Sequence, residues 1–132
     1  MATPEMSEIT THGVRVSAKP VYRPEQSDPD QRRYMFEYNI EITNTGTRPV
    51  QLVSRHWIII DAYGRREDVA GPGVVGQTPR LEPGQGFKYQ SYCPLRTLWG
   101  TMEGEYQMRY DDGETFEVKI ARFFLKIPKD AE

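Results

Sequence analysis

Gly71-Pro72-Gly73-Val74-Val75-Gly76-Gln77-Thr78-Pro79-Arg80-Leu81-Glu82-Pro83-Gly84 is the stretch on which the fold turns. Its first six residues spell G-x-G-x-x-G, the lettering of a dinucleotide-binding loop. That loop needs a strand before it and a helix after it, because the helix N-terminus holds the pyrophosphate. Two prolines and a further glycine follow within the eight residues after Gly76, and they forbid a regular helix. The hexapeptide is therefore a glycine loop between strands, and the chain reads as all-β.

Working outward, period-two alternation recurs on both sides of this loop and helical periodicity does not. Upstream, a strand over 50–63 is rich in Val, Ile and Trp, and its continuous apolar centre implies burial on both faces or an adjoining contact surface. Gly64-Arg65 turns it into a short segment ending at Ala70. Before it, Tyr34, Phe36, Tyr38, Ile40 and Ile42 alternate with polar residues, and Asn44-Thr45-Gly46-Thr47-Arg48-Pro49 forms a turn. Val14, Val16 and Ala18 give a first strand that Pro20 is expected to end. Downstream, Glu82-Pro83-Gly84-Gln85 suits a type II turn, after which Phe87, Tyr89 and Ser91 alternate. A loop is expected from about Pro94 to Gly100, then a strand through Tyr106, Met108 and Tyr110, closed by an Asp112-Gly113 hairpin. Phe116, Val118 and Ile120 share one parity and Phe123, Leu125 and Ile127 the other, so a β-bulge near Ala121-Arg122 is needed to keep both sets on one face. About seven antiparallel strands in a single domain over 1–132, with loose ends at 1–8 and 128–132, describe a β-sandwich of immunoglobulin or fibronectin type III kind.

At 132 residues, 37% hydrophobic and 27% charged, the chain can build one core without staples. A net charge of −2, with Lys and Arg spread along the chain, argues against direct nucleic-acid binding. One cysteine, Cys93, cannot form an internal disulfide. The polar N-terminus does not read as a secretory signal, and no apolar run is long enough for membrane insertion. A cytoplasmic protein is expected.

Taken in order, Leu52-Val53-Ser54-Arg55-His56-Trp57, the hexapeptide at 71–76, Pro79 with Leu81, Pro83-Gly84, Phe87, Tyr89 with Ser91, and Gly104 followed by Tyr106 carry a family resemblance. Over about 14–127 the chain resembles the bacterial ApaG proteins. It departs from their pattern at Gln77-Thr78 and Gln85, where acids are frequent, at Tyr92-Cys93, where a glycine is usual, and at Trp99. The resemblance implies a seven-stranded fibronectin-type sandwich. It also implies contacts with proteins, the role of related domains in eukaryotic F-box and polymerase-interacting proteins. Bacterial members are linked by gene neighbourhood to diadenosine-tetraphosphate hydrolysis and by phenotype to cobalt and magnesium resistance or efflux. The family brings no catalytic residue set.

Two kinds of site are expected. Glycines at 71, 73 and 76 permit positive φ and bare N–H groups, so Gly71, Gly73, Val74, Val75 and Gly76 with Arg80 could hold a phosphate, pyrophosphate or nucleotide in a main-chain nest. Arg55 or His56 would assist if the fold brought them close. In the structural alternative the glycines relieve crowding and Val74 and Val75 plug the core. Trp99 and Val74 are the candidate contacts for a protein partner, and unguarded sandwich edges make homodimerisation or strand addition available. No catalytic group, cofactor or metal is expected: His12, His56 and Cys93 lie on separate segments, and Asp111-Asp112-Gly113 is what a hairpin turn requires. The leading expectation is a non-catalytic protein-binding domain; the alternative is a phosphate or nucleotide sensor.

Overall fold

A computed structural model describes residues 6–128 of the chain. Nine strands follow in order: β1 (Ser7–Thr11), β2 (Val14–Tyr22), β3 (Tyr34–Asn44), β4 (Val50–Asp61), β5 (Arg66–Pro72), β6 (Arg80–Leu81), β7 (Gly86–Leu95), β8 (Trp99–Tyr110) and β9 (Thr115–Lys126). They form two antiparallel sheets, β1-β2-β3-β7 and β5-β4-β8-β9, with β6 paired to the start of β4. This is the expected sandwich. The strands read from alternation are β2, β3, β4, β5, β7, β8 and β9; the other two were not foreseen.

β1 falls partly in the stretch expected to be loose; residues 1–5 of that stretch lie outside the described residues, as do 129–132. Its sequence, Ser-Glu-Ile-Thr-Thr, has no apolar alternation. The ladder to β2, from Ser7 opposite Ala18 to Thr11 opposite Val14, holds it instead. β1 also covers the free edge of β9: Ser7 Oγ donates to the Ala121 carbonyl at 2.7 Å, and the Lys119 amide donates to Thr11 Oγ1 at 3.3 Å. β2 does not end at Pro20 but continues to Tyr22. β1 has stopped pairing by then, so Pro20 sits where β2 is an edge and its missing N–H costs no ladder bond. For the same reason the edge strand β7 runs through Pro94, and the loop expected up to Gly100 shrinks to 96–98.

The expected bulge is present. Met102 opposes Phe123 and Gly104 opposes Ile120, leaving Ala121 and Arg122 against Glu103 alone. Val118, Ile120, Phe123, Leu125 and Ile127 are all buried as a result. A second bulge at Val53 reverses the parity of β4, so that Leu52 and Trp57 both point inward. Trp57 sits at the centre of the core, with its ring 5.2 Å from Tyr38 and 5.9 Å from Phe123. Gly104 lies opposite it. A Cβ there would collide with the His56 carbonyl, so only glycine lets β8 approach β4 this closely.

Candidate functional site

β5 carries the chain into the glycine hairpin. Val74 and Gln77 exchange both backbone hydrogen bonds, each 2.8 Å. Val75 (φ 43°) and Gly76 (φ 80°) both take positive φ, the geometry of a type I′ turn. Gly73 (φ 60°) donates its amide to the Val53 carbonyl at 2.9 Å, and a Cβ on it would strike the carbonyl of Gln77. The amides of Gly73 and Val74 are therefore used inside the chain, whereas those of Val75 and Gly76 have no backbone acceptor among the described residues. The Val74 side chain is fully buried, so it plugs the core and cannot meet a partner. Val75, 51% exposed, takes the outward position instead of joining the plug.

The Val53 bulge decides which of two neighbouring residues reaches this loop. Arg55 shares the inward face with Tyr106, its ladder partner. Its Nη1 donates to the carbonyls of Pro72 and Gly73, both at 2.9 Å, and a Cβ on Gly71 would press on its guanidinium at 3.2 Å. His56 points to the opposite face. Arg80 is on β6, where Glu82 and Asp111 already hold its guanidinium. Of the basic residues considered for the loop, Arg55 alone contacts it.

Facing residues of an antiparallel ladder share a side, so the outer face of the five-stranded sheet can be read off in rows. One row is Arg66, Ile60, Thr101 and Phe124; another is Ala70, His56, Glu105 and Lys119. In the second, His56 Nδ1 meets Glu105 and Nε2 meets Asp68, each at 2.8 Å. Glu105 first, then Asp68, holds the imidazole pKa above its ordinary value. Arg66 and then His56 hold the Asp68 carboxyl well below the usual carboxylate range. The next row on this face holds Trp99, paired with Lys126 at the start of β8 rather than lying in a loop. Leu98, Trp99 and Phe124 are 50%, 46% and 42% exposed, beside half-buried Ile58 and Ile60. Leu98 and Phe124 were not singled out from sequence. Phe124 could have been, because the bulge that turns Phe123 inward turns its neighbour outward.

Groups suited to chemistry are occupied or shielded. Cys93 is buried between the sheets, and that burial pushes its thiol up to about 12. The hydroxyls of Tyr89 and Tyr106 bond to each other, and burial holds both well above the ordinary phenol range. His12 packs edge-on against Phe116, far in the fold from His56 and Cys93. No cluster of three His, Cys, Asp or Glu suited to a metal ion occurs among the described residues, and no described helix is long and apolar enough to cross a membrane.

Residues 24–110 match the profile of the ApaG domain. The "Protein ApaG" of Anaeromyxobacter dehalogenans is 50% identical over 123 residues, which are 93% of this chain and 97% of that protein. The chain belongs to the ApaG family. The ApaG protein of Bdellovibrio bacteriovorus is 47% identical over the same lengths. A crystal structure of a Bordetella pertussis protein described as ApaA superposes with a TM-score of 0.86 at 52% identity, covering 88% of this chain and 94% of that one. Several residues that carry the ApaG resemblance gather in one place here. Arg55 ties β4 to the hairpin beside Gly71, Gly73 avoids the Gln77 carbonyl at the hairpin's base, Tyr89 and Tyr106 join the two sheets, and Gly104 lets β8 lie close to the main chain of β4. Each has a structural task, and Arg55 with the Gly73 amide fixes the hairpin to β4.

Proposed function

We propose that this ApaG domain is a non-catalytic binding module whose partner is a protein. The observation that carries this reading is the exposed apolar surface of Trp99 and Phe124 on the outer face of the β5-β4-β8-β9 sheet, with exposed Leu98 in the connection just before Trp99. Bulky apolar groups gathered on one side of a soluble sandwich are the usual mark of a contact site. The buried thiol and the doubly engaged His56 support a role without chemistry. On this reading the domain works in the cytoplasm, and a link to cobalt or magnesium resistance runs through the partner. The test is a photo-crosslinking amino acid placed at Phe124 in living cells. A discrete adduct is expected from that position and none from Lys88 on the other sheet. Adducts from neither position, or equally from both, would defeat the reading.

A second reading places a pyrophosphate or nucleotide on the hairpin. The specific observation for it is Arg55, whose guanidinium lies under the loop with no carboxylate partner among the described residues, beside the uncommitted amides of Val75 and Gly76. Calorimetric titration with pyrophosphate and diadenosine tetraphosphate should then give heat that is lost in Arg55→Met. No heat at millimolar ligand would remove it.

A further inference from the structure

A cleft of about 320 Å³ opens between the two sheets on the side where β5 and β7 are edges. The end of β7 lines it with Pro94 and Leu95, and Arg96 lies just beyond them. The five-stranded sheet lines the other wall with Ile59 and Glu67, which are ladder partners, and with Arg65 in the turn before β5. Ile59 and Glu67 share the face of Trp57, the inward one. Glu67 therefore aims its carboxylate into the gap, and its charge is felt on the facing sheet. After burial itself, Glu67 is what holds the Cys93 thiol up.

The charges of this cleft are of both signs and only partly matched. Asp61 and Arg66 also line it, but Asp61 accepts from the amides of Tyr63 and Arg65, and Arg66 donates to Asp68. Glu67, Arg65 and Arg96 have no ion-pair partner among the described residues. Glu67 and Arg96 thus line one cleft from different sheets without closing on each other. A simple anion entering here meets two carboxylates as well as the arginines, and a simple cation meets three guanidinium groups. An occupant that carries both charges can set each against its opposite. We propose that the cleft binds a small zwitterion with an apolar side chain, of the class of the free aliphatic α-amino acids. Its carboxylate meets Arg96 and Arg65, its ammonium meets Glu67, and its side chain lies against Ile59, Pro94 and Leu95. The volume stands at the small end of the range for ligand sites, about 300–1,000 Å³, which suits an amino acid better than a nucleotide. None of these residues takes part in the protein-contact surface or the hairpin reading, so the inference stands or falls apart from both.

The experiment is an NMR titration of the whole chain, following backbone amides, with three probes of one shape. L-leucine carries both charges, 4-methylpentanoate only the carboxylate and 3-methylbutylamine only the ammonium. Leucine should give saturable shifts confined to 59–67 and 94–96, and each single-charge probe should bind about tenfold more weakly. Glu67→Gln should weaken leucine about tenfold and remove its advantage over 4-methylpentanoate, because the acid that repels a bare carboxylate is gone. The double change Arg65→Gln with Arg96→Gln should likewise remove the advantage over 3-methylbutylamine. Lys19→Gln, on the other sheet's outer face, should alter nothing. Thermal melts of each variant show that the fold is kept, and the changed order of the probes is a result that loss of structure does not produce. No shifts in these segments at millimolar leucine, equal binding of either single-charge probe by the parent chain, or indifference to Glu67→Gln would each overturn the proposal.

Discussion

His56 has a carboxylate on each ring nitrogen, which sets how its charge enters stability. An imidazole whose pKa is raised by folding contributes fully below its unfolded value of about 6.5, and the contribution is lost as pH rises through the folded value. Carboxylates held low by folding behave in the opposite sense. Asp68, and the buried Glu37 held by Asn39 and Arg23, contribute above the unfolded range and lose that contribution on acidification. The His56→Gln variant should therefore melt about 2 °C below the parent near pH 6, with the gap closing towards pH 9. A gap that is the same at both pH values in calorimetric melts would show that packing, and not the proton, is responsible. Gly104 offers a sharper contrast. Gly104→Ala drives a methyl into the main chain of β4 and should cost about 3 kcal/mol by urea unfolding. Gly64→Ala meets nothing within 4 Å and bears only the strain of φ 82°, about 1 kcal/mol.

At the scale of the element, β1 binds to the body through main chain and two hydroxyls, so its value lies in what it covers. Removing residues 1–11 bares the edge of β9, and an uncovered edge invites pairing with another chain. The truncated protein should be less stable by about 2 kcal/mol and should associate with rising concentration, as read by light scattering after gel filtration. If it stays monomeric, the edge is guarded by something other than β1. The same element marks where sequence stopped being informative. Alternation exposed the strands that bury a face, and the parity change from Ile120 to Phe123 disclosed the β9 bulge. β1 buries no apolar residue and β6 is only two residues long, with Leu81 buried, so neither shows alternation and both are held by ladders, which have no compositional trace. Prolines 20 and 94 misled because their meaning depends on whether a neighbouring strand is present. The bulge at Val53 was silent for a related reason: every residue around it is plausible on either face, yet it decides that Arg55 reaches the hairpin and His56 does not. At the candidate surface Trp99 was legible as an unusual loop residue and Phe124 was implied by the same parity change that disclosed the β9 bulge, while Leu98, in a connection with no periodic pattern, left no trace.

The whole molecule has one covered side, where β1 lies along β9, and one open side, where the edges of β5 and β7 face each other across the sandwich. That asymmetry bears on how the protein opens. β7 has a ladder on one side only, to β3, and contains Pro94, so by position it is the strand most able to fray. It is also tied inward by the Tyr89–Tyr106 hydroxyl bond and by Cys93, whose thiol lies opposite Phe36 in the core. If these ties govern, Cys93 becomes reactive only when both sheets separate. Its labelling by a thiol reagent should then slow and quicken in step with global stability, showing the full denaturant dependence of unfolding and a matching slowdown in any stabilised variant. If β7 frays alone, labelling at low urea should be nearly independent of denaturant and far faster than global unfolding allows. Tyr89→Phe separates the contributions, because it removes the hydroxyl bond without opening space. The variant should shift Cys93 from the first behaviour towards the second, and unchanged labelling would show that the apolar contacts of β7 hold the open side by themselves.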